Sequence, residues 1–312
     1  MTSDHTRTGV VTKKLGNIAF VLEKDAQSSR ITACQTRGRL KLGDTSERSL
    51  VCIGDNVRFS FGSDGSGSIE EILKRRTLLS RSWTLNAEMT DPLVANAEIL
   101  AIVVSVSPSV KPGIIDRYLV AGVAGGLKPL IVLNKIDLRH VDREREKLDV
   151  YKAVGYRVLE TSALEGTNLD ELEREIYGRI CAFCGHSGVG KTSLINRLLG
   201  THLRVAEVSG KTSKGRHTTV TTEMLLHPSG GYMIDTPGIK SFGVCGVSAD
   251  ELIAFFPEIT DKAKECGFRD CRHSEGQTGC AVLSAVEKRI IASSRWNSYL
   301  KLKDELKTLE PY

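Results

Sequence analysis

The stretch GHSGVGKT, residues 185 to 192, follows the apolar run RICAFC and opens the helical stretch SLINRLLG. A phosphate chain needs several backbone N–H groups converging on it, and glycines at 185, 188 and 190 let the main chain wrap closely without Cβ interference. The positive end of the following helix adds to the attraction. Lys191 would reach the outer phosphates and the Thr192 hydroxyl would ligate Mg²⁺. The whole loop, Gly185, His186, Ser187, Gly188, Val189, Gly190, Lys191, Thr192 and Ser193, is therefore expected to hold a nucleotide. DTPG, residues 235 to 238, closes a second apolar strand, GYMI. Alone it reads as a turn; behind a strand and in company with the phosphate loop, Asp235 is a magnesium carboxylate and the Gly238 N–H can meet a terminal phosphate.

Two further strand ends carry base-reading residues. NKID, residues 134 to 137, ends the run KPLIVL, and TSAL, residues 161 to 164, ends YRVLE. In a parallel sheet the two would lie side by side at the carboxyl edge, where such sheets bind ligands. Asp137 can accept both guanine N1–H and the exocyclic amine, a donor pair that adenine lacks, so the carboxylate selects GTP over ATP. Lys135 can lay its methylenes on the base, Asn134 can tie this loop to the phosphate loop, and Ile136 and Ser162 complete the two turns. The Ala163 N–H is expected to donate to guanine O6.

A third constellation lies near the C-terminus. Cys266, Cys271, His273 and Cys280 fall in CGFRDCRHSEGQTGC, and three thiolates with one imidazole complete a tetrahedral shell for one structural Zn²⁺ with no open position. Cys181 and Cys184 form a C-x-x-C on the strand entering the phosphate loop. There, residues i and i+3 face opposite sides, so both read as packing residues, as do Cys34, Cys52 and Cys245.

The elements that must position these groups follow from the hydrophobic pattern. GNIAFVLE, SRITACQT and NVRFSFG are short β-like runs separated by Gly, Asp and Ser clusters, with SDGSGS as a hairpin loop, and they predict a small antiparallel barrel or sandwich over residues 1–80. From about residue 98 apolar strands alternate with helices: EILAIVVSV, IIDRYLVAGVAGG, KPLIVLN, a charged helix over 141–154, YRVLETS, LDELEREIYG and RICAFCG. That alternation demands a parallel sheet covered on both faces, an α/β unit assigned to residues 81–243. Residues 244–312 read as helical, with SADELIAFF before the cysteines and a long charged helix from about Val282 to Leu309.

Of the 312 residues, 40% are hydrophobic and 26% charged, which is globular composition. No run of eighteen apolar residues occurs and MTSDHTRTGVVTKK lacks a signal-peptide core, so a soluble, cytoplasmic chain without a membrane partner is expected, as is a monomer. The formal net charge is +5, and residues 1–80 hold thirteen Lys/Arg against nine Asp/Glu. An anionic polymer would favour that end, although a solvated surface explains the charge equally well.

The order of the motifs, NKID, TSAL, GHSGVGKT, DTPG, is not the usual order of GTPases, which begin with the phosphate loop; it resembles the circularly permuted GTPases. RGRL and GDNV in the N-terminal segment, RYL, VLNKIDL, KGRHTT, GHSGVGKTSLIN and the final Cys/His cluster make the chain similar to the ribosome small subunit-dependent GTPase A family over most of its length. That resemblance implies an N-terminal OB-fold barrel, a permuted P-loop GTPase core and a C-terminal helical zinc domain. It further implies binding to the small ribosomal subunit and its rRNA late in assembly, with GTP hydrolysis promoting release. KGRHTT, residues 214 to 219, falls where the first switch belongs, so Thr218 or Thr219 is expected to close over Mg²⁺. His217 is the candidate for positioning the attacking water, against the plain reading of a surface histidine in a loop. The place after the DTPG glycine that often carries a catalytic glutamine is Ile239 here, so unaided hydrolysis should be slow. The competing readings are a GTPase acting on another RNA or ribosomal partner, and a nucleic-acid-binding module with a degenerate nucleotide site.

Overall fold

Alternating burial along the first strands curls them into a closed barrel. In the computed structural model, which describes residues 6–24, 30–36, 38–43, 48–62, 65–81, 91–200, 222–236, 243–274 and 276–309, β1 (Arg7–Leu15), β2 (Ile18–Glu23) and β3 (Ile31–Gln35) run as antiparallel neighbours. A two-strand ribbon follows, β4 (Leu40–Lys41) with β5 (Arg48–Ser49). Next come β6 (Asn56–Phe61) and β7 (Gly67–Ile72), an antiparallel pair in which Gly67 and Ser68 of the expected loop belong to the strand. Pairing of β1 with β6 closes the ring in the order β1-β2-β3-β7-β6. Inside sit Val11, Ala19, Val21, Cys34, Val57, Phe59, Ile69 and Ile72. Gly67 opposes Cys34, where a Cβ would lie 2.6 Å from the Cys34 sulfur.

The hairpin β8 (Leu78–Ser80) and β9 (Pro92–Ala95) leads into the α/β unit. There β10 (Ile99–Ser105), α1 (Pro112–Ala124), β11 (Lys128–Asn134), α2 (Val141–Ala153), β12 (Val158–Glu160), α3 (Leu169–Ile176), β13 (Ile180–Cys184), α4 (Lys191–Leu199), β14 (Glu223–Leu226) and β15 (Tyr232–Asp235) follow in turn. The sheet order is β12-β11-β10-β13-β15-β14, parallel except at β14. All seven residues of β10 are buried, as the central strand of a two-faced sheet requires. Cys181 joins one core and Cys184 the other, so the two thiols do face opposite sides. Cys34 and Cys52 are buried as expected, whereas Cys245 is only partly covered, because it lies past the sheet in the approach to the C-terminal helices.

Two of the strands that escaped the sequence reading join the barrel to the core. β1 carries only a weak alternation, TGVVTKKL, and β14 is four residues long. Together they fuse barrel and core into one eleven-stranded sheet through the pair Lys13 and Glu223, whose side chains form an ion pair at 3.2 Å. A second joint is made by Asn96, whose side chain donates to the Gly54 carbonyl at 2.9 Å and accepts from the Arg76 N–H. Gly54, within GDNV, has φ +85, and a Cβ there would strike the Ala95 carbonyl oxygen at 2.0 Å, so glycine is required for the close approach.

Beyond the sheet, a 3-10 turn (Glu251–Phe255), α5 (Pro257–Ala263), α6 (Ala281–Glu287) and α7 (Ser293–Lys307) form the helical end. The single long helix expected from Val282 to Leu309 is thus two helices. Arg289 takes a left-handed conformation (φ +57) and Ile291 turns inward to full burial, which breaks the helix. α7 packs on α1, and Arg295, 1% exposed, binds both Asp116 of α1 and Glu258 of α5 at 2.6 Å. Among the described residues no helix is long and apolar enough to cross a membrane.

Candidate nucleotide and metal sites

Three loops at the carboxyl edge of the sheet meet on one side chain. Asn134, buried at the end of β11, donates from Nδ2 to the Val189 carbonyl of the phosphate loop at 3.0 Å. Its Oδ1 accepts from the Ala163 N–H at 3.1 Å and from the Thr161 hydroxyl at 3.4 Å. A side-chain amide carries a donor and an acceptor on separate atoms of one short planar group, so asparagine can face the phosphate loop with one and TSAL with the other. The Ile136 N–H, donating to the Thr161 carbonyl at 3.2 Å, adds a backbone link between the two base-reading turns. Because the Ala163 N–H is already engaged by Asn134, a guanine O6 has to share or exchange that donor.

Lys135, at φ +65, lies over the phosphate loop with its ammonium on the carbonyls of Gly188 (2.6 Å) and Ser107 (2.7 Å). That posture leaves its methylenes along the pocket wall. Asp137 accepts from the Ser162 hydroxyl, which in turn accepts from the Glu165 N–H at 3.1 Å. Ser162 therefore orients the carboxylate. Asn134, Lys135, Asp137, Leu138, Ala163, Leu164, Gly190, Ser193, Asn196 and Arg197 line an open cavity of about 600 Å³, of the size that holds a nucleoside. Asn196 and Arg197 were not among the residues picked from sequence, since helix positions beyond a phosphate loop carry no motif of their own.

At the other end, the phosphate loop runs from β13 into α4. Gly185 has φ +141 and would place a Cβ 2.2 Å from the Val103 carbonyl oxygen. Gly190 has φ +94 and would place one 2.3 Å from Asn134 Nδ2. Val189 is buried, whereas His186 and Ser187 are exposed at the loop's rim. Lys191, buried, donates to the carbonyls of Gly185 (2.9 Å) and His186 (3.2 Å). Burial pushes its pKa down, opposed by Asp235 and the Cys184 sulfur.

Thr192 donates its hydroxyl to Asp235 Oδ2 at 2.9 Å. The other oxygen, Oδ1, is buried and has no hydrogen-bond partner among the described residues. Burial raises the Asp235 pKa, opposed by Thr192 and Lys191. A hydroxyl beside an orphaned carboxylate oxygen is the donor set that a hard divalent cation such as Mg²⁺ completes. An anionic phosphate would likewise offset the desolvation of Lys191. Thr236 anchors the start of DTPG by donating to the Phe183 carbonyl at 2.6 Å. Gly238, Ile239, His217, Thr218 and Thr219 lie outside the described residues.

The Cys/His set converges as its spacing predicts. The ligand atoms of Cys266, Cys271, His273 and Cys280 all lie within 4.8 Å of one another. The sulfurs of Cys266 and Cys280 are 3.7 and 3.4 Å from His273 Nδ1. Bonds of about 2.3 and 2.0 Å at the tetrahedral angle put a sulfur and a nitrogen about 3.5 Å apart, so these separations fit a shared Zn²⁺. Burial opposes ionisation of Cys266, but the N–H groups of Val282 and Ala281 together with the Cys271 and Cys280 side chains hold its pKa below the usual thiol value. Burial also keeps the His273 pKa low, aided by Lys303, and a neutral imidazole is the ligating form.

Comparison with known proteins gives one consistent answer. A family model described as RsgA GTPase matches residues 72–245. The chain is 38% identical to the small ribosomal subunit biogenesis GTPase RsgA of Chlorobaculum tepidum, covering 96% of this chain and 98% of that protein. It is 38% identical to the protein of the same name from Pseudomonas aeruginosa, over 94% of this chain and 84% of that one. Among solved structures it resembles YloQ, a circularly permuted GTPase, at 26% identity and a TM-score of 0.68 over 100% of this chain and 99% of that one. It also resembles YjeQ from Thermotoga maritima, at 30% identity and a TM-score of 0.67 over 96% and 98%.

Proposed function

This chain belongs to the RsgA GTPase family, and from that premise we propose a residue-by-residue account of how it binds and hydrolyses GTP in biogenesis of the small ribosomal subunit. It is a GTP hydrolase built on a circularly permuted core. The observation that carries the account is the Asn134 fork, which fixes the base-reading and phosphate loops in one frame. Asp137, oriented by Ser162, reads guanine N1–H and the amine; the Ala163 N–H reads O6; Lys135 covers one face of the ring. Residues Gly185 to Ser193 wrap the phosphates, with Lys191 turning its ammonium from loop carbonyls to phosphate oxygens.

Thr192 and Asp235 would hold Mg²⁺, whose charge offsets that developing on the phosphates. Thr218 or Thr219 would join them when the first switch closes, and His217 would orient the water. The cluster Cys266, Cys271, His273 and Cys280 would hold one structural Zn²⁺, fixing the loop that precedes α6. In this reading the chain works as a cytoplasmic monomer in three units, 1–80, 81–243 and 244–312. The barrel and the zinc unit face rRNA of the small subunit, which orders the switch and accelerates turnover.

Permutation gives this design its mechanical sense. The segment after DTPG runs straight into the helical end, so a change at the terminal phosphate has a short covalent route to it. The deciding experiment is phosphate release by the full chain, with GTP and ATP, in the presence and absence of purified small subunits. Guanine preference with stimulation by subunits is expected. Equal use of ATP would refute the base-reading assignment, and turnover indifferent to subunits would refute the ribosomal one.

A further inference from the structure

Arg197 stands on α4, the helix that begins at the phosphate loop, yet its guanidinium reaches the opposite end of the pocket. Its Nε donates to the Ala163 carbonyl at 2.8 Å and its terminal nitrogen to the Leu164 carbonyl at 2.9 Å. Those are the two peptide groups that immediately follow the Ala163 N–H. Gly166, at φ +83, brings the loop so close that a Cβ there would lie 3.6 Å from the Arg197 guanidinium. On the far side, the Glu165 N–H is tied to Ser162 and through it to Asp137. The base-reading turn is thus pinned from α4 on one edge and from NKID on the other.

A planar fork can hold two carbonyls at once, whereas an ammonium is a point donor, and bonds from a charged donor are stronger than neutral ones. We infer that Arg197 is a positioning residue for purine selection: it anchors the TSAL turn to the phosphate-loop helix and so fixes where the O6 donor sits relative to the triphosphate. The inference rests on the guanine reading above. Arg197 itself makes no contact that the base needs. Its effect reaches O6 first, through the two peptides that follow the Ala163 donor, whereas Asp137 stands on the separate NKID turn and keeps its contacts with N1–H and the amine largely in place.

That separation is testable with base analogues on the full chain. Affinity and release rate would be measured for GDP, inosine diphosphate, 6-thioguanosine diphosphate and ADP, by competition with a fluorescent GDP, for the wild type, Arg197→Ala and Arg197→Lys. Inosine keeps O6 but lacks the amine, while 6-thioguanosine keeps the amine but offers sulfur, a poor acceptor, in place of O6. Arg197→Ala should weaken GDP and inosine diphosphate by the same factor, about five- to ten-fold and mainly through faster release, while 6-thioguanosine diphosphate changes less than about two-fold. Arg197→Lys, which keeps the charge and the helix, should recover part of the loss. An equal loss for all three purines would mean general loosening and overturn the inference, as would a GDP affinity unchanged by Arg197→Ala. A wild type that fails to prefer GDP over ADP would instead remove the guanine reading, and this inference with it.

Discussion

Gly190→Ala tests the joint between the two ends of the pocket with a single methyl group. Two costs add. At φ +94 an L-residue is strained by about 1–2 kcal/mol. The new Cβ would also lie 2.3 Å from Asn134 Nδ2, far inside van der Waals contact, so the amide has to leave the Val189 carbonyl it now meets at 3.0 Å. Breaking a hydrogen bond at a residue only 1% exposed adds about 1–3 kcal/mol. The total, about 2–5 kcal/mol, corresponds to GDP affinity falling by a factor between about thirty and a few thousand if the cost appears in binding. Urea unfolding followed alongside fluorescent-GDP titration separates the part that appears as lost stability. The Asn134→Ala background supplies the decisive comparison, because removing Nδ2 removes the clash. There Gly190→Ala should cost only the backbone share, so the two substitutions should be markedly non-additive. Additive costs, or a Gly190→Ala protein that both binds GDP within about three-fold of wild type and matches its stability in urea, would refute the geometry on which the fork stands.

Further outcomes follow from the same structure. Arg295→Met strands Asp116, 0% exposed, and should destabilise the chain by about 3–5 kcal/mol in calorimetry or urea unfolding near neutral pH. Asp116 already titrates above the usual carboxylate range because burial strips its water, with Arg295 the chief opposing influence. Losing the guanidinium lifts it further, and the folded state then keeps a proton that the unfolded chain releases, so stability falls as pH rises through that window. The destabilisation should thus be smaller near pH 5 than near pH 8; a pH-independent loss would contradict this account. A zinc-selective chelator should melt the region around Cys266, Cys271, His273 and Cys280, seen as a lost thermal transition, while GDP binding persists; unchanged melting would argue against a structural metal. Asp235→Asn should lower Mg²⁺-dependent GTP affinity at least ten-fold yet hardly affect affinity measured without Mg²⁺, a split that equal losses would disprove. His217→Ala should abolish subunit-stimulated phosphate release while sparing GTP affinity, and undiminished stimulation would remove it from the mechanism.

The candidate site was legible because its chemistry sits at strand ends. NKID, TSAL, GHSGVGKT and DTPG each follow an apolar run, and a parallel sheet carries all its carboxyl ends to one edge whatever the order of the strands in the chain. Permutation therefore scrambled the order of the motifs without hiding them. What the sequence did not disclose depends on contacts between distant segments. β1 looks polar because it buries only Gly9, Val11 and Thr12, with the alternation broken by a register shift after Val11, and nothing in TGVVTKKL names β14, more than two hundred positions away, as its neighbour. The charged stretch after Val282 reads as one helix because helical periodicity resumes past the break; only packing shows that Ile291 is drawn into the core and Arg289 turned left-handed. Arg197, one of two basic residues on α4, and Arg295, one of four on α7, carry no motif. Their roles emerge when the fold places two carbonyls before one and two carboxylates before the other.

Those long-range contacts also change how the site should be understood. A GTPase core with only its own sheet could alter its switch region freely. Here the strand that follows KGRHTT is hydrogen-bonded to the barrel through β1, and the helical end is bolted to α1 by a buried arginine. β14 begins only four residues beyond Thr219 and pairs along its length with β15, the strand that ends in Asp235. Any shift of β14 that accompanies closure of the switch is therefore resisted, or transmitted, at the Lys13–Glu223 seam. The seam is one residue pair wide with a half-buried ion pair, worth at most about 1 kcal/mol, so on its own it is a weak tie. The buried Arg295 anchor, several times stronger, is not. The helical end is thus held to the core by one strong anchor, whereas the barrel is held by the weak Lys13–Glu223 pair together with the buried joint of Asn96 to Gly54.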